Sequence, residues 1–172
     1  RSVQCIRRVC LETMAEVRGS HFLISTETGA SSRGASPGVV PPRTADAATV
    51  VRVPAAGDCE IRLHHSEPGG GKFLLAGQAK VWPAAVALAQ HLLDSSSGSL
   101  AGHRVVELGC GLGLPGFLCA AFGAEVLITD VPEAYPLLER RAAENAGRLS
   151  GTLKAAPLRW GAAAARALIA EH

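Results

Sequence analysis

Apolar and polar positions along this chain change their period twice. Between residues 47 and 65 the period is two. AATVVRVP (47–54) is a β-like run, and in CEIRLHH (59–65) Cys59, Ile61 and Leu63 alternate with Glu60 and Arg62. That alternation predicts two half-buried strands joined by AAGD, a β-hairpin lead-in over 47–76. From Trp82 the period lengthens: PAAVALAQHLL (83–93) turns Val86, Leu88, Ala89, Leu92 and Leu93 mainly to one side, with Pro83 suited to a first helical turn. After the loop DSSSGS (94–99) the two periods alternate. Strands are expected at 103–109, 124–130 and 152–160, and helices at 114–123, 132–147 and 162–172. Strand, helix, strand, helix, strand is the order of a doubly wound parallel α/β sheet with right-handed crossovers.

Residues 28–46, TGASSRGASPGVVPPRTAD, carry no period and are rich in Gly, Ser and Pro. They read as a linker, so residues 1–46 are expected to be a disordered or non-native arm. The first methionine is Met14, expected to be the natural start, with an organellar presequence as the rival reading. Glu12, Glu16 and Glu27 count against that rival, because such peptides are poor in acids. EPGGGK (67–72) resembles a phosphate loop, but Phe73 follows Lys72 where a hydroxyl residue is required for magnesium. It is read as a flexible turn.

Composition narrows the function classes. The chain is 172 residues long and 48% hydrophobic, enough for one domain with a core and too apolar for a disordered chain. A net charge of +2, with basic residues scattered, gives no nucleic-acid surface. No apolar run reaches the roughly 18 residues that span a bilayer. The five cysteines, an odd number without a CxxC pair, form neither a disulfide framework nor a zinc site. A reducing compartment follows, cytoplasmic first and nuclear second.

The candidate chemistry lies in VVELGCGLGLPG (105–116). Gly111, Gly113 and Gly116 satisfy GxGxxG, a weak dinucleotide signature taken alone. Glu107 is more informative, because an acid at the strand mouth repels a pyrophosphate but suits a ligand with an ammonium and no phosphate. S-adenosylmethionine is such a ligand. Asp130 closes the next strand, where a carboxylate can grip both ribose hydroxyls, in this cofactor or in a nicotinamide dinucleotide. The competing structural readings are that Glu107 caps a backbone amide and that Asp130 N-caps the helix from Pro132. Trp82 and Trp160, the only tryptophans, fall at element ends beside the glycine turn. They can stack on adenine or shield a sulfonium, or else plug the core. Cys110 lacks a placed histidine partner and reads as a small buried residue rather than a nucleophile.

Taken in order, VWPAAVALAQHL, VVELGCGLGLPG, GAEVLITDVPEAYPLLE and LRWG resemble the seven-β-strand S-adenosylmethionine-dependent methyltransferases. Within them they are most similar to the methyltransferase-like protein-lysine methyltransferases (family 16). The resemblance covers about Gly77 to Gly161. It implies a Rossmann-like fold, S-adenosylmethionine as cofactor and a protein lysine as acceptor. It also implies a cofactor pocket formed by Trp82, Gly109, Cys110, Gly111, Gly113, Asp130 and Trp160, with Glu107 added from the residues themselves. No catalytic base and no metal ligand is named.

Cys110, Leu112 and Arg141 depart from the family pattern, while Asn145 keeps it. Against that pattern residues 77–172 correspond to the N-terminal half of the cofactor domain, so the fold is expected to be C-terminally incomplete. Strand 103–109 is then expected to be a bare edge that aggregates or pairs between chains through residues 104–109. The alternatives are a truncated, non-catalytic cofactor- or partner-binding module, and behind it an NAD(P)-dependent oxidoreductase.

Overall fold

A computed structural model of the chain describes residues 3–6, 21–27, 47–66, 77–96 and 98–171. The Gly/Ser/Pro segment 28–46, Met14 with its rival presequence, and the EPGGGK turn lie outside the described residues.

Eleven strands and α-helices follow in order: β1 (Val3–Ile6), β2 (Leu23–Glu27), β3 (Ala48–Val53), β4 (Cys59–His64), α1 (Pro83–Ser95), β5 (Arg104–Leu108), α2 (Leu114–Ala121), β6 (Glu125–Asp130), α3 (Tyr135–Asn145), β7 (Thr152–Pro157) and α4 (Ala162–Glu171). They form two sheets. The first has order β1-β5-β6-β7 and is parallel throughout, with Val105 opposite Val126 and Ile128 opposite Ala155. The expected βαβαβ order is therefore present. The crossovers from β5 to β6 and from β6 to β7 run through α2 and α3, as parallel pairing demands. The second sheet has order β2-β3-β4 and is antiparallel. Its β3–β4 hairpin matches the alternation of residues 47–65, turning at Gly57 and at Asp58, whose φ is 57°. Asp tolerates the left-handed region better than most residues.

The expectation of a bare edge at residues 103–109 is corrected by the N-terminal segment, whose described residues include two strands. Leu23–Glu27 pairs along the whole of Arg52–Ala48, and Phe22 beside it is buried in the core. Val3–Ile6 lies parallel to Arg104–Glu107. Strand β5 is thus interior, not a bare edge, and the backbone through which chains were expected to pair is already bonded. The physical reason is the cost of leaving a row of N–H and C=O groups unsatisfied beside an apolar core.

A single core joins the two sheets. It takes Val51, Ile61 and Leu63 from the hairpin, Leu93 from α1, Phe117 and Leu118 from α2, and Val126 and Ile128 from β6. Helix α1 packs on α2, and α3 packs on β7 and β4. The helix expected over 132–147 divides into a 3-10 turn (Pro132–Ala134), α3, and a second 3-10 turn (Ala146–Arg148). Pro136 explains the restart, since proline fits a helix only in its first turn. At the far end of α3, buried Asn145 takes the place of a neighbouring strand. Its Oδ1 accepts from Arg62 N–H and its Nδ2 donates to Arg62 C=O, both at 2.8 Å. One side chain thereby satisfies a backbone pair on the outer edge of β4.

Candidate functional site: a glycine turn between two strand-end acids

Strands β5 and β6 end side by side, and the chain between Leu108 and Leu114 turns over their carboxyl ends. The turn is held by its own backbone and by the strands. Cys110 N–H donates to Thr129 C=O at 2.9 Å, Gly113 N–H donates to Cys110 C=O at 2.8 Å, and Thr129 Oγ1 donates to Glu107 C=O at 2.8 Å. Gly111 sits at φ +58°, and a Cβ there would lie 2.8 Å from Gly77 C=O. Only glycine combines that backbone with that approach.

Glu107 is buried, and its Oε2 accepts the Gly116 N–H at 2.9 Å. Gly116 is the third residue of α2, so this carboxylate occupies one of the orphan amides at the helix start. The arrangement explains the last glycine of the motif: a Cβ at Gly116 would lie 2.7 Å from Glu107 Oε2 and 2.5 Å from Ile128 Cγ2. A dinucleotide site uses such helix-start amides for its pyrophosphate. Here the protein's own carboxylate is in the way.

Asp130 is half-buried and accepts three protein donors. Oδ2 takes Gly111 N–H at 2.8 Å and Gln78 Nε2 at 3.2 Å, and Oδ1 takes Val131 N–H at 2.7 Å. It does not cap a helix; it ties the glycine turn to the segment before α1. A carboxylate offers about four acceptor sites, so about one is left for a ligand.

Beside the turn opens a cleft with about 490 Å³ of space, part of it continuous with solvent, whose walls include Lys80, Trp82, Glu107, Gly109, Cys110, Gly111 and Gly113. Asp130 and Trp160 flank the turn without lining this cleft. Trp82 precedes Pro83 and takes the extended backbone (φ −86°, ψ 143°) that a following proline imposes. Lys80 Nζ stands 5.2 Å from the centroid of its ring. Trp160 is 75% exposed, and its Cζ2 would lie 3.3 Å from a Cβ on Gly109. It is therefore no core plug, and it overhangs the turn. The eight residues expected at the site are gathered around one glycine turn.

Burial sets the character of the thiols. Cys110 is pushed well above the ordinary thiol range by burial and then by the charges of Glu107 and Asp130. It stays protonated and is no nucleophile. Cys59, Cys110 and Cys119 are all free and buried. Among the described residues no group of three His, Cys, Asp or Glu could hold a metal, and no helix is long and apolar enough to cross a membrane.

Three contributors were missed in the sequence. Lys80 stands two residues before Trp82, a spacing that carries no chemical signature. Gln78 is a lone polar residue in a short connection. Arg141 did carry a signal: it sits on the α3 face with Leu138, Ala142 and Asn145, where a charge has no reason to be unless something inside needs it.

Known proteins bear on this geometry. The profile described as lysine methyltransferase matches residues 75–172, more than half of the chain. Mouse EEF1A lysine methyltransferase 3 is 35% identical over 103 residues, 60% of this chain and 43% of its own length. Zebrafish protein N-lysine methyltransferase METTL21A is 41% identical over 85 residues, 48% of this chain and 38% of its own. Human histone-arginine methyltransferase METTL23 is 48% identical over 59 residues, 34% of this chain and 30% of its own. The chain thus spans well under half the length of these curated relatives. With its parallel sheet, glycine turn and strand-end acids, the chain belongs to the lysine methyltransferase family.

Proposed function

We propose that this chain is the cofactor-binding part of an enzyme that moves a methyl group from S-adenosylmethionine to a protein amine, a lysine side chain. The observation that carries the reading is the Glu107–Gly116 hydrogen bond. It fills the helix-start amide a pyrophosphate would need and leaves a nucleoside without phosphates as the fitting ligand, so the oxidoreductase alternative loses its anion site.

The cleft fits the amino-acid end of that cofactor, which is a zwitterion. Lys80 and Glu107 share its wall and offer opposite charges to the carboxylate and ammonium. Asp130, with about one acceptor site left, takes a single ribose hydroxyl rather than the two-hydroxyl grip expected from sequence. Trp82 in the cleft wall and Trp160 over Gly109 bring two indoles to the turn. S-adenosylmethionine, when bound, supplies an electrophilic methyl on sulfur. The chain's own part is to hold the nucleoside, keep its orientation fixed and screen it from water. The acceptor amine must arrive neutral, and no residue here is assigned as its base. We place the protein in the cytoplasm or nucleus, in keeping with three buried free thiols; imaging of the tagged protein, with signal confined to an oxidising compartment, would overturn that.

A second reading is a cofactor-binding module that holds S-adenosylmethionine without turnover. Incubating the chain with methyl-labelled S-adenosylmethionine and cell proteins separates the two. Label recovered as methyl-lysine after hydrolysis is the expected result. Label in methyl-arginine would move the acceptor, and cofactor binding without label would leave the module.

A further inference from the structure

Arg141 has no part in the reading above, yet it is the largest fully buried side chain among the described residues. All its bonds run to neutral oxygens. Nε donates to His64 C=O at 2.7 Å, and Nη2 donates to the same oxygen. Nη1 donates to Gln78 Oε1 at 2.6 Å and to Gly111 C=O at 3.1 Å. Burial draws this guanidinium down to about 10, with the Asp130 carboxylate opposing, so it remains charged at neutral pH. A buried charge hydrogen-bonded only to neutral oxygens is a poor way to gain stability. Its geometry does something else.

An arginine has donors and no acceptor. Gln78 must therefore turn Oε1 toward Arg141, and its Nε2 is left facing Asp130 Oδ2 at 3.2 Å. The same Oδ2 receives Gly111 N–H, while Gly111 C=O receives Arg141. Gly111 is thus gripped on both of its peptide groups, and one grip depends on the other through Gln78. We infer that Arg141, acting through Gln78, is a positioning residue that fixes the Gly111 turn and the Asp130 carboxylate in the arrangement that receives the cofactor's ribose before the cofactor arrives. The inference rests on the reading of this turn as the cofactor seat. The rival account is a clasp that only ties α3 to β4 through His64.

Gln78→Leu, Arg141→Lys and the double variant, each alone and with Asp130→Asn, separate the accounts when the 172-residue chain is titrated with S-adenosylhomocysteine well below its melting temperature. Gln78→Leu breaks the relay without touching His64. It is expected to weaken binding by about tenfold, the lower range for a hydrogen bond to a charged group. Arg141→Lys should weaken it less, and the double variant no more than the worse single. In the Asp130→Asn background both effects should vanish. In the cofactor-free chain the Gly111 amide should exchange faster in Gln78→Leu while the Val126 and Ile128 amides keep their protection. Unchanged affinity and unchanged Gly111 exchange in a folded Gln78→Leu chain would overturn the inference. If the parent chain fails to bind S-adenosylhomocysteine, the functional reading falls, and the Gly111 exchange alone decides whether the relay presets the turn.

Discussion

Helices α2 and α4 follow strands of the same sheet, and they are helical for opposite reasons. Helix α2, LPGFLCAA, has a proline and a glycine among eight residues, and every one of the eight is buried. Intrinsic preference would not make it a helix; packing between β5, β6 and α1 does. Helix α4, AAAARALIAE, is alanine-rich and has no buried residue at all. Preference favours it, and little tertiary contact holds it. Ile169 in α4 is 77% exposed, and Trp160 just before it is 75% exposed. The helix that follows the glycine turn is built into the core, whereas the last helix has no residue buried there. Local stability should follow that division.

Removing core volume should break the symmetry most visibly. Leu118→Ala in α2, at a residue with no exposed surface, is expected to cost about 2–5 kcal/mol. Ile169→Ala in α4 should stay within about 0.5 kcal/mol, as exposed sites do. Denaturant unfolding of both variants checks this, and comparable losses would mean α4 is docked as firmly as α2.

The ligand effect comes next. Asp130→Asn should weaken S-adenosylhomocysteine binding by about 1.5–3 kcal/mol, the range for hydrogen bonds involving a charged group. Arg166→Ala on α4 should leave affinity where it was. An unaffected Asp130→Asn chain would reduce this acid to a tie between Gly111 and Gln78.

A smaller effect is a pH dependence seated in α2. Burial raises the Cys119 thiol from 9.0 to about 12. The unfolded chain gives up that proton near 9 and the native chain only near 12. The contribution is therefore complete below pH 9 and lost as pH rises toward 12, at up to about 1.4 kcal/mol per unit. Cys119→Ala should flatten this part of the stability profile. An identical alkaline slope in the variant would assign it to another group.

The same contrast explains what could be read from the sequence. The alternation from β5 to β7 was legible because each element carries its own period, and the glycine turn because its closely spaced glycines follow directly on an apolar run with an acid, Glu107, at its end. Strands β1 and β2 were not, since four and five residues hold too little pattern and their partners lie far along the chain. Asp130 and the two tryptophans were found at the turn, but the part Glu107 plays was only one of two readings. Choosing it required knowing that Gly116, nine residues on, returns to within 2.9 Å. Gln78 and Arg141 are 63 residues apart, and no local rule connects them.

The claim that the turn seats a nucleoside without phosphates is tested most directly by isothermal titration of the chain with S-adenosylhomocysteine and, in parallel, with NADH. The account predicts saturable one-to-one binding of S-adenosylhomocysteine and no heat of binding from NADH, because Glu107 holds the amide a pyrophosphate would use. Binding of NADH without S-adenosylhomocysteine would contradict it.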